Sequence, residues 1–292
     1  MKNLARTFGL VLLILAGTMQ ACATTDSSPV SSSTPPTCTE IGQTWTSPVD
    51  EMTLVCVPAG SFMMGAAEDD LQAGADEKPQ HQVTLDAFWI DRTEVTNAMF
   101  AKCIAAGACH ERKYSPYLWG VRLPNGTPYY GETLYDDFPV IVLDGEEAQA
   151  YCEWAGRRLP YEAEWEKAAR GTDGRLYPWG ASIDCGHANF LGCEGKPAQV
   201  TSYDSGASPF GVLNMSGNLW EWVADWYDPA YYSQSPAENP LGPDTGEYHI
   251  LRGGGWRSLT SQLRVTNRAS GKPEHSTDGE IGIRCAWSPA IP

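Results

Sequence analysis

Eight cysteines follow residue 22, namely Cys38, Cys56, Cys103, Cys109, Cys152, Cys185, Cys193 and Cys285, and they constrain this chain more than any other feature. An even set in an exported chain reads as a disulfide framework, because an oxidising compartment lets such bridges form and persist. None of the spacings is the Cys-x-x-Cys of a zinc or redox site. The short segments Cys103 to Cys109 and Cys185 to Cys193 can close on themselves, and Cys38 has Cys56 as its nearest partner.

Export is read from the start of the chain. Lys2 and Arg6 precede an apolar run from Phe8 to Met19, and small residues follow at Ala21 and Cys22. This is the layout of a signal peptide, placed at residues 1–21. The run is shorter than the roughly 20 residues a helix needs to span a bilayer. Cys22 resembles the lipid-bearing cysteine of bacterial lipoproteins and is the candidate lipidation site, although Ala21-x-Ala23 offers ordinary cleavage as an alternative. The Ser/Thr/Pro-rich stretch at 22–42 has too little apolar surface to order itself and reads as a tether. Residues 43–292 then form one folded domain.

A net charge of -16 argues against nucleic acid or an anionic membrane surface as partner, since neither would meet a basic patch. Membrane contact is expected through the lipid anchor alone.

Local signals place several elements. Thr53 to Val57 and Ser61 to Met64 flank Pro58-Ala59-Gly60 and read as a hairpin, and Gln82 to Asp86 alternates as a half-buried strand. Thr96 caps a helix from Asn97 to about Ala106. Asp144, with Glu147 three residues on, caps another that Gly156 ends. Pro160 opens a third, with Trp165, Ala168 and Ala169 as its apolar face. Beyond it Gly, Pro, Trp and Asn dominate, so an α+β domain with short strands and irregular loops is expected.

Several motifs recur in a fixed order: Gly60-Ser-Phe-Met-Met-Gly65, Phe88-Trp-Ile-Asp-Arg-Thr-Glu-Val-Thr-Asn97, Tyr151-Cys-Glu-Trp-Ala-Gly-Arg-Arg-Leu-Pro160, Glu162-Ala-Glu-Trp-Glu166, Tyr177-Pro-Trp-Gly180, Asn214-Met-Ser-Gly-Asn-Leu-Trp-Glu-Trp222, Arg252-Gly-Gly-Gly-Trp256 and Gly282-Ile-Arg-Cys285. The succession resembles the formylglycine-generating enzyme, or sulfatase-modifying factor, family. The resemblance covers about residues 50 to 288 and implies a variant of the C-type-lectin fold braced by a Cys152–Cys285 bridge. It also implies structural calcium, held by the carbonyls of Asn214, Gly217 and Leu219 with the Glu221 carboxylate, a mixed oxygen set that suits this ion. A second calcium site would begin at Asn189 and Phe190, with Glu194 standing in for the family's acidic ligand.

The same resemblance exposes a gap. The family's oxidases use two cysteines after a Gly-Gly-Ser-Tyr or Gly-Gly-Ser-Trp motif to bind copper(I), which soft thiolates suit. Here Gly253 to Arg268 contains no cysteine. Ser258 takes the place of the first catalytic cysteine and Gly255 that of the active-site serine. The family cleft positions are therefore Gly255, Trp256, Ser258 and Arg264, with Arg257 and Arg268 nearby, and copper is not expected. Arg264 and Arg268 either face an anionic or peptide ligand or pair with carboxylates. The expectation is a calcium-stabilised binding or scaffold module for a protein, peptide or envelope ligand in the bacterial envelope. The alternative is an oxidoreductase, for instance a nonheme-iron enzyme, drawing ligands from His81, His110, His187, His249 and His275.

Overall fold

In the computed structural model of the protein, the described residues are 34–110, 129–141, 144–272 and 279–289. The signal segment, Cys22, the first part of the tether (22–33) and His275 lie outside them.

Three short helices and ten short strands carry the described chain. Strands β1 (Thr44–Thr46), β2 (Thr53–Val57), β5 (Phe88–Asp91) and β10 (Ala286–Trp287) form one sheet in the order β1-β2-β5-β10. Strands β3 (Gly60–Met64) and β4 (His81–Leu85) form a two-stranded ribbon. Strands β6 (Trp220–Trp226), β7 (His249–Arg252), β8 (Ala269–Gly271) and β9 (Ile281–Gly282) form the third sheet, ordered β8-β7-β6-β9, with β6 and β9 parallel.

The expected hairpin at Pro58 does not form. Strand β2 pairs with β1 and β5, whereas β3 pairs with β4. The burial patterns give the reason. From Leu54 to Val57 every residue of β2 is buried, as suits a central strand covered on both faces. In β3 Phe62 and Met64 are buried while Ser61 and Met63 are exposed, so the ribbon has one wet face. Two stretches with such different demands sit in different sheets.

The helices begin where their caps stand. Thr96 Oγ1 accepts from Met99 N–H at 3.2 Å ahead of α1 (Asn97–Ala105). Asp144 Oδ1 accepts from Glu147 N–H at 2.6 Å ahead of α2 (Gly145–Trp154). Before α3 (Glu162–Arg170), Glu164 Oε2 accepts the Tyr161 N–H at 2.9 Å. Such caps satisfy donors that the first helical turn leaves without intrahelical partners.

Helix α3 departs from its expected single apolar face. All nine of its residues are buried, Glu162, Glu166, Lys167 and Arg170 included. It packs against β3, β4, β6 and β7, so its charges must find partners inside the protein. Glu166 accepts from Arg170 at 2.8 Å and from Arg252 at 2.6 Å. Glu162 takes Arg268 through both its oxygens, at 2.8 and 3.1 Å. Lys167 donates to the carbonyls of Pro58 and Gly60, and burial lowers its pKa to about 8.

Four disulfides join Cys38 to Cys56, Cys103 to Cys109, Cys152 to Cys285 and Cys185 to Cys193. The third spans 133 residues and ties α2 to the residue just before β10. The first carries the end of the Ser/Thr/Pro-rich stretch onto the domain, where Trp89 Nε1 also donates to the Pro36 carbonyl at 3.0 Å. Among the described residues no helix is long and apolar enough to cross a membrane.

Candidate functional site

The glycine run after β7 builds the turn in which the cleft positions meet. Gly255 N–H donates to Ser258 Oγ at 2.9 Å, and Ser258 N–H donates back to the Gly255 carbonyl at the same distance. The Ser258 hydroxyl is thus buried and holds the turn shut. A methyl group on Gly255 would lie 2.8 Å from Glu280 Oε2, so a side chain here would push on that carboxylate. Glu280 also pairs with Arg257, whose Nε lies 3.5 Å from Glu280 Oε1. The Arg257 guanidinium stacks over the Trp256 ring at 4.1 Å.

Trp256 forms the floor. Its N–H donates to the Asn218 carbonyl at 2.9 Å, and its ring packs with Tyr129, Tyr135, Ile141 and Leu219. Its indole N–H is buried without a hydrogen-bond partner. The cleft turn therefore offers one indole N–H, a half-exposed guanidinium and a carboxylate. These are hydrogen-bonding and charged groups, with no thiol among them.

Arg264 is held elsewhere. Its guanidinium makes two bonds of 2.7 Å to Glu77 and further bonds to the Gln72 carbonyl and to Thr266. Arg268 is bound to Glu162 and to the carbonyls of Asp76 and Asp228. Of the two readings the sequence left open, the pairing with carboxylates describes both residues. Arg257 is the arginine of this stretch that stays at the surface.

Beneath the turn lies a polar network built from four motifs. Asn214 and Asn218 each donate through Nδ2 to Glu94, at 2.7 Å to Oε2 and Oε1 respectively. Asn218 Oδ1 in turn accepts from Ala198 N–H and Asn189 Nδ2. Gly217 is needed between them. Its φ is +89°, and a Cβ would come within 2.5 Å of the Asn189 carbonyl oxygen. Glu221 Oε1 accepts from Arg284 Nη2 at 2.7 Å, while Glu221 Oε2 accepts from Arg284 Nε at 2.9 Å and Trp165 Nε1 at 2.7 Å. The other Arg284 donors reach the Asp91 and Leu213 carbonyls. Burial raises the Glu94 pKa to about 7, with the Glu221 charge adding to it and Arg284 and Asn214 opposing.

This network tests the calcium set that the resemblance implies. Asn214, Gly217, Leu219 and Glu221 do share one turn and strand, but Glu221, the set's charged ligand, already has both oxygens bound by a guanidinium and an indole. A divalent cation on that carboxylate would lie beside the Arg284 charge. In this arrangement the residues do not fit calcium. At the second location the Asn189 side chain bridges the Lys196 carbonyl, Asn218 and the Glu194 N–H, and Phe190 packs toward Tyr177 and Ala188.

The histidines are dispersed. His81 lies edge-on to Tyr232, His187 stacks on Trp179 beside Asp184, His249 stacks on Trp226, and His110 is exposed. Among the described residues, no three His, Cys, Asp or Glu side chains converge as a metal-binding group.

The sequence motifs hold Glu94 and Arg284 without marking a role for either, mark Trp165 only as part of an apolar helix face although its Nε1 donates to Glu221, and do not single out Glu280. The signal was present for the first three: charged or hydrogen-bonding side chains inside otherwise apolar motifs need buried partners. Glu280 had no such signal, because only the tertiary fold brings it beside Gly255.

Comparison with known proteins agrees with this architecture. A family profile described as "Sulfatase-modifying factor enzyme 1-like domain" matches residues 40–289. The formylglycine-generating enzyme of Streptomyces coelicolor is 33% identical over 279 residues, covering 80% of this chain and 88% of that protein. The serine/threonine-protein kinase pkn1 of Chlamydia caviae is 35% identical over 240 residues, again 80% of this chain but 37% of the kinase's own length. The solved structure of PvdO from Pseudomonas aeruginosa superimposes with a TM-score of 0.69 at 28% identity, covering 85% of this chain and 98% of PvdO.

Proposed function

The chain belongs to the sulfatase-modifying factor enzyme 1-like family, and we propose that it uses that family's fold as a thiol-free binding module of an exported protein, without formylglycine-generating activity. One observation carries the reading. The turn where the family's oxidases keep their copper-binding cysteines holds Gly255 and Ser258 joined by two mutual hydrogen bonds, and each of the eight cysteines after Cys22 is bridged.

Without a thiolate the turn has no soft ligand for copper(I) and no group to exchange with a substrate thiol. What remains is recognition. Arg257 and the Trp256 indole N–H would bind a carboxylate or carbonyl of a peptide or envelope ligand, and Glu280 would orient Arg257 through their ion pair. Such contacts give specificity when a charged group is held by a neighbour and half-exposed.

The module is proposed to hold its fold through its bridges and buried ion pairs, with Glu221 bound to Arg284 in place of calcium. Lipidation at Cys22 would anchor it to the bacterial envelope, in keeping with a disulfide-rich chain.

The test is incubation of the purified protein with a Cys-x-Pro-x-Arg peptide, copper and oxygen. No formylglycine product is expected, and appearance of that aldehyde would overturn the reading. Chelation with EDTA is expected to leave the melting temperature unchanged. A fall restored by calcium would return Glu221 to the metal.

A further inference from the structure

A second concave site lies away from the Gly253–Arg268 segment, between helix α2 and strand β6. It is a pocket of about 230 Å³, lined by Glu146, Gln149, Glu153, Tyr161, Trp222 and His249, among others. That is somewhat below the roughly 300–1,000 Å³ of pockets for drug-sized ligands, so its occupant must be small.

The strand wall is set by an irregularity. Strand β6 loses register against β7 between Trp222 and Trp226, and such bulges re-aim side chains next to functional sites. Here Trp226 stacks on His249 with ring centroids 3.8 Å apart, while Trp222 meets the same imidazole edge-on at 6.4 Å. The His249 Nδ1 lies 3.2 Å from the Asp225 carbonyl oxygen. A carbonyl only accepts, so Nδ1 carries the proton and Nε2 is left as an acceptor. Burial holds the His249 pKa below its usual value, against the Asp225 and Ala224 backbone hydrogen bonds, and so favours the neutral ring.

Trp222 is fully buried, yet its indole N–H has no hydrogen-bond partner. Buried donors of this kind are uncommon and call for an explanation. A ligand acceptor in the pocket that Trp222 lines supplies one.

The helix wall is acidic. Glu146, Gln149 and Glu153 recur at helical spacing on α2, and Gln149 Nε2 donates to Glu153 Oε1 at 2.7 Å, orienting that carboxylate. Arg158 also lines the pocket, but its guanidinium is bound twice by Glu164, at 2.7 Å each, and lies over the Tyr161 ring at 4.7 Å. The described lining therefore offers two carboxylates with no free cation to balance them, beside aromatic faces that also favour a positive group.

We propose that this pocket between α2 and β6 binds a small hydroxylated primary amine, with its ammonium on Glu146 and Glu153 and its hydroxyls on the Trp222 indole N–H and His249 Nε2. A hydroxyl is both donor and acceptor, so one ligand group can serve both ring nitrogens. Charge sets the preference for an amine over a neutral polyol, and enclosure sets the size.

Glucosamine is the probe, with glucose and N-acetylglucosamine as controls of the same ring without the charge. Titration of the full protein is followed through the Trp222 indole N–H resonance, assigned by its proximity to His249. Glucosamine is expected to shift that resonance saturably and to bind at least about tenfold more tightly than either control, the scale of one charge-assisted hydrogen bond. The double variant Glu146→Gln/Glu153→Gln changes exposed residues on the helix surface and is expected to remove the tenfold preference. Equal binding of all three sugars, an unmoved Trp222 resonance, or an unchanged preference in the double variant would overturn the proposal.

Discussion

Two regions of this domain use arginine in opposite ways. Around α3 and the Glu94 network, Arg252, Arg264, Arg268 and Arg284 are buried and bound to carboxylates and carbonyls. In the cleft turn, a few residues away in sequence, Arg257 lies half-exposed over Trp256 and pairs with the Glu280 carboxylate at 3.5 Å. The first region fixes the shape that the second displays. Paired buried charges are costly to separate and so specify one arrangement, while a surface pair can exchange its partner for a ligand.

The largest expected effect tests the buried side of that contrast. Arg284→Ala leaves Glu221 and Glu94 buried without their counter-charge, and a loss of about 3–5 kcal/mol in denaturant unfolding is expected. A loss under about 1 kcal/mol would show that the network is no more costly to break than a surface pair.

pH reads the same region without mutation. Burial raises the pKa of Asp91 and of Glu94 to about 7, from ordinary values of 3.8 and 4.5. The folded state then holds protons that the unfolded state releases, so the two groups favour folding most below their unfolded pKa values. Their contribution is lost as pH rises toward about 7. Asp50 and Glu77 are lowered below their ordinary values despite burial, through Arg157 and Tyr151 for one and Arg264 for the other. Their stabilisation is present above about pH 4 and lost below it. Unfolding free energy measured from pH 3 to 8 is expected to peak on the acid side of neutrality. A steady rise to pH 8 would contradict the Asp91 and Glu94 contribution.

Smaller effects belong to the cleft. Gly255→Ala places a methyl against the Glu280 carboxylate and is expected to cost about 1–3 kcal/mol, the range of overpacking. Smallest of all, Arg257→Ala is expected to change stability by under about 1 kcal/mol, yet to weaken any acidic ligand of the cleft. A large stability loss in this variant would place Arg257 with the buried arginines and erase the contrast.

Much of the site was legible in one dimension. Caps at Thr96 and Asp144 are local hydrogen bonds, so sequence locates α1 and α2 nearly to the residue. The absence of cysteine between Cys193 and Cys285 is likewise a fact of sequence. The hairpin at Pro58 misled because Thr53–Val57 and Gly60–Met64 are adjacent in the chain but are drawn into different sheets by β5 and β4. Helix α3 misled because its periodicity shows an apolar face, while the burial of its other faces depends on strands from both halves of the domain.

What the sequence determined by itself is the framework: its helix starts, its bridge-forming cysteines, its family motifs and a Gly253-to-Arg268 segment without cysteine. These rest on residue identity and short spacing, and for that segment on the absence of cysteine alone. What the tertiary structure alone decided is the fate of each charge. Arg264, Arg268 and Glu221 looked available for ligands or metal until distant carboxylates and Arg284 were brought to them. Hydrogen bonds and ion pairs act over a few ångströms of space, whatever the distance along the chain, and here most of those partners lie more than sixty residues apart.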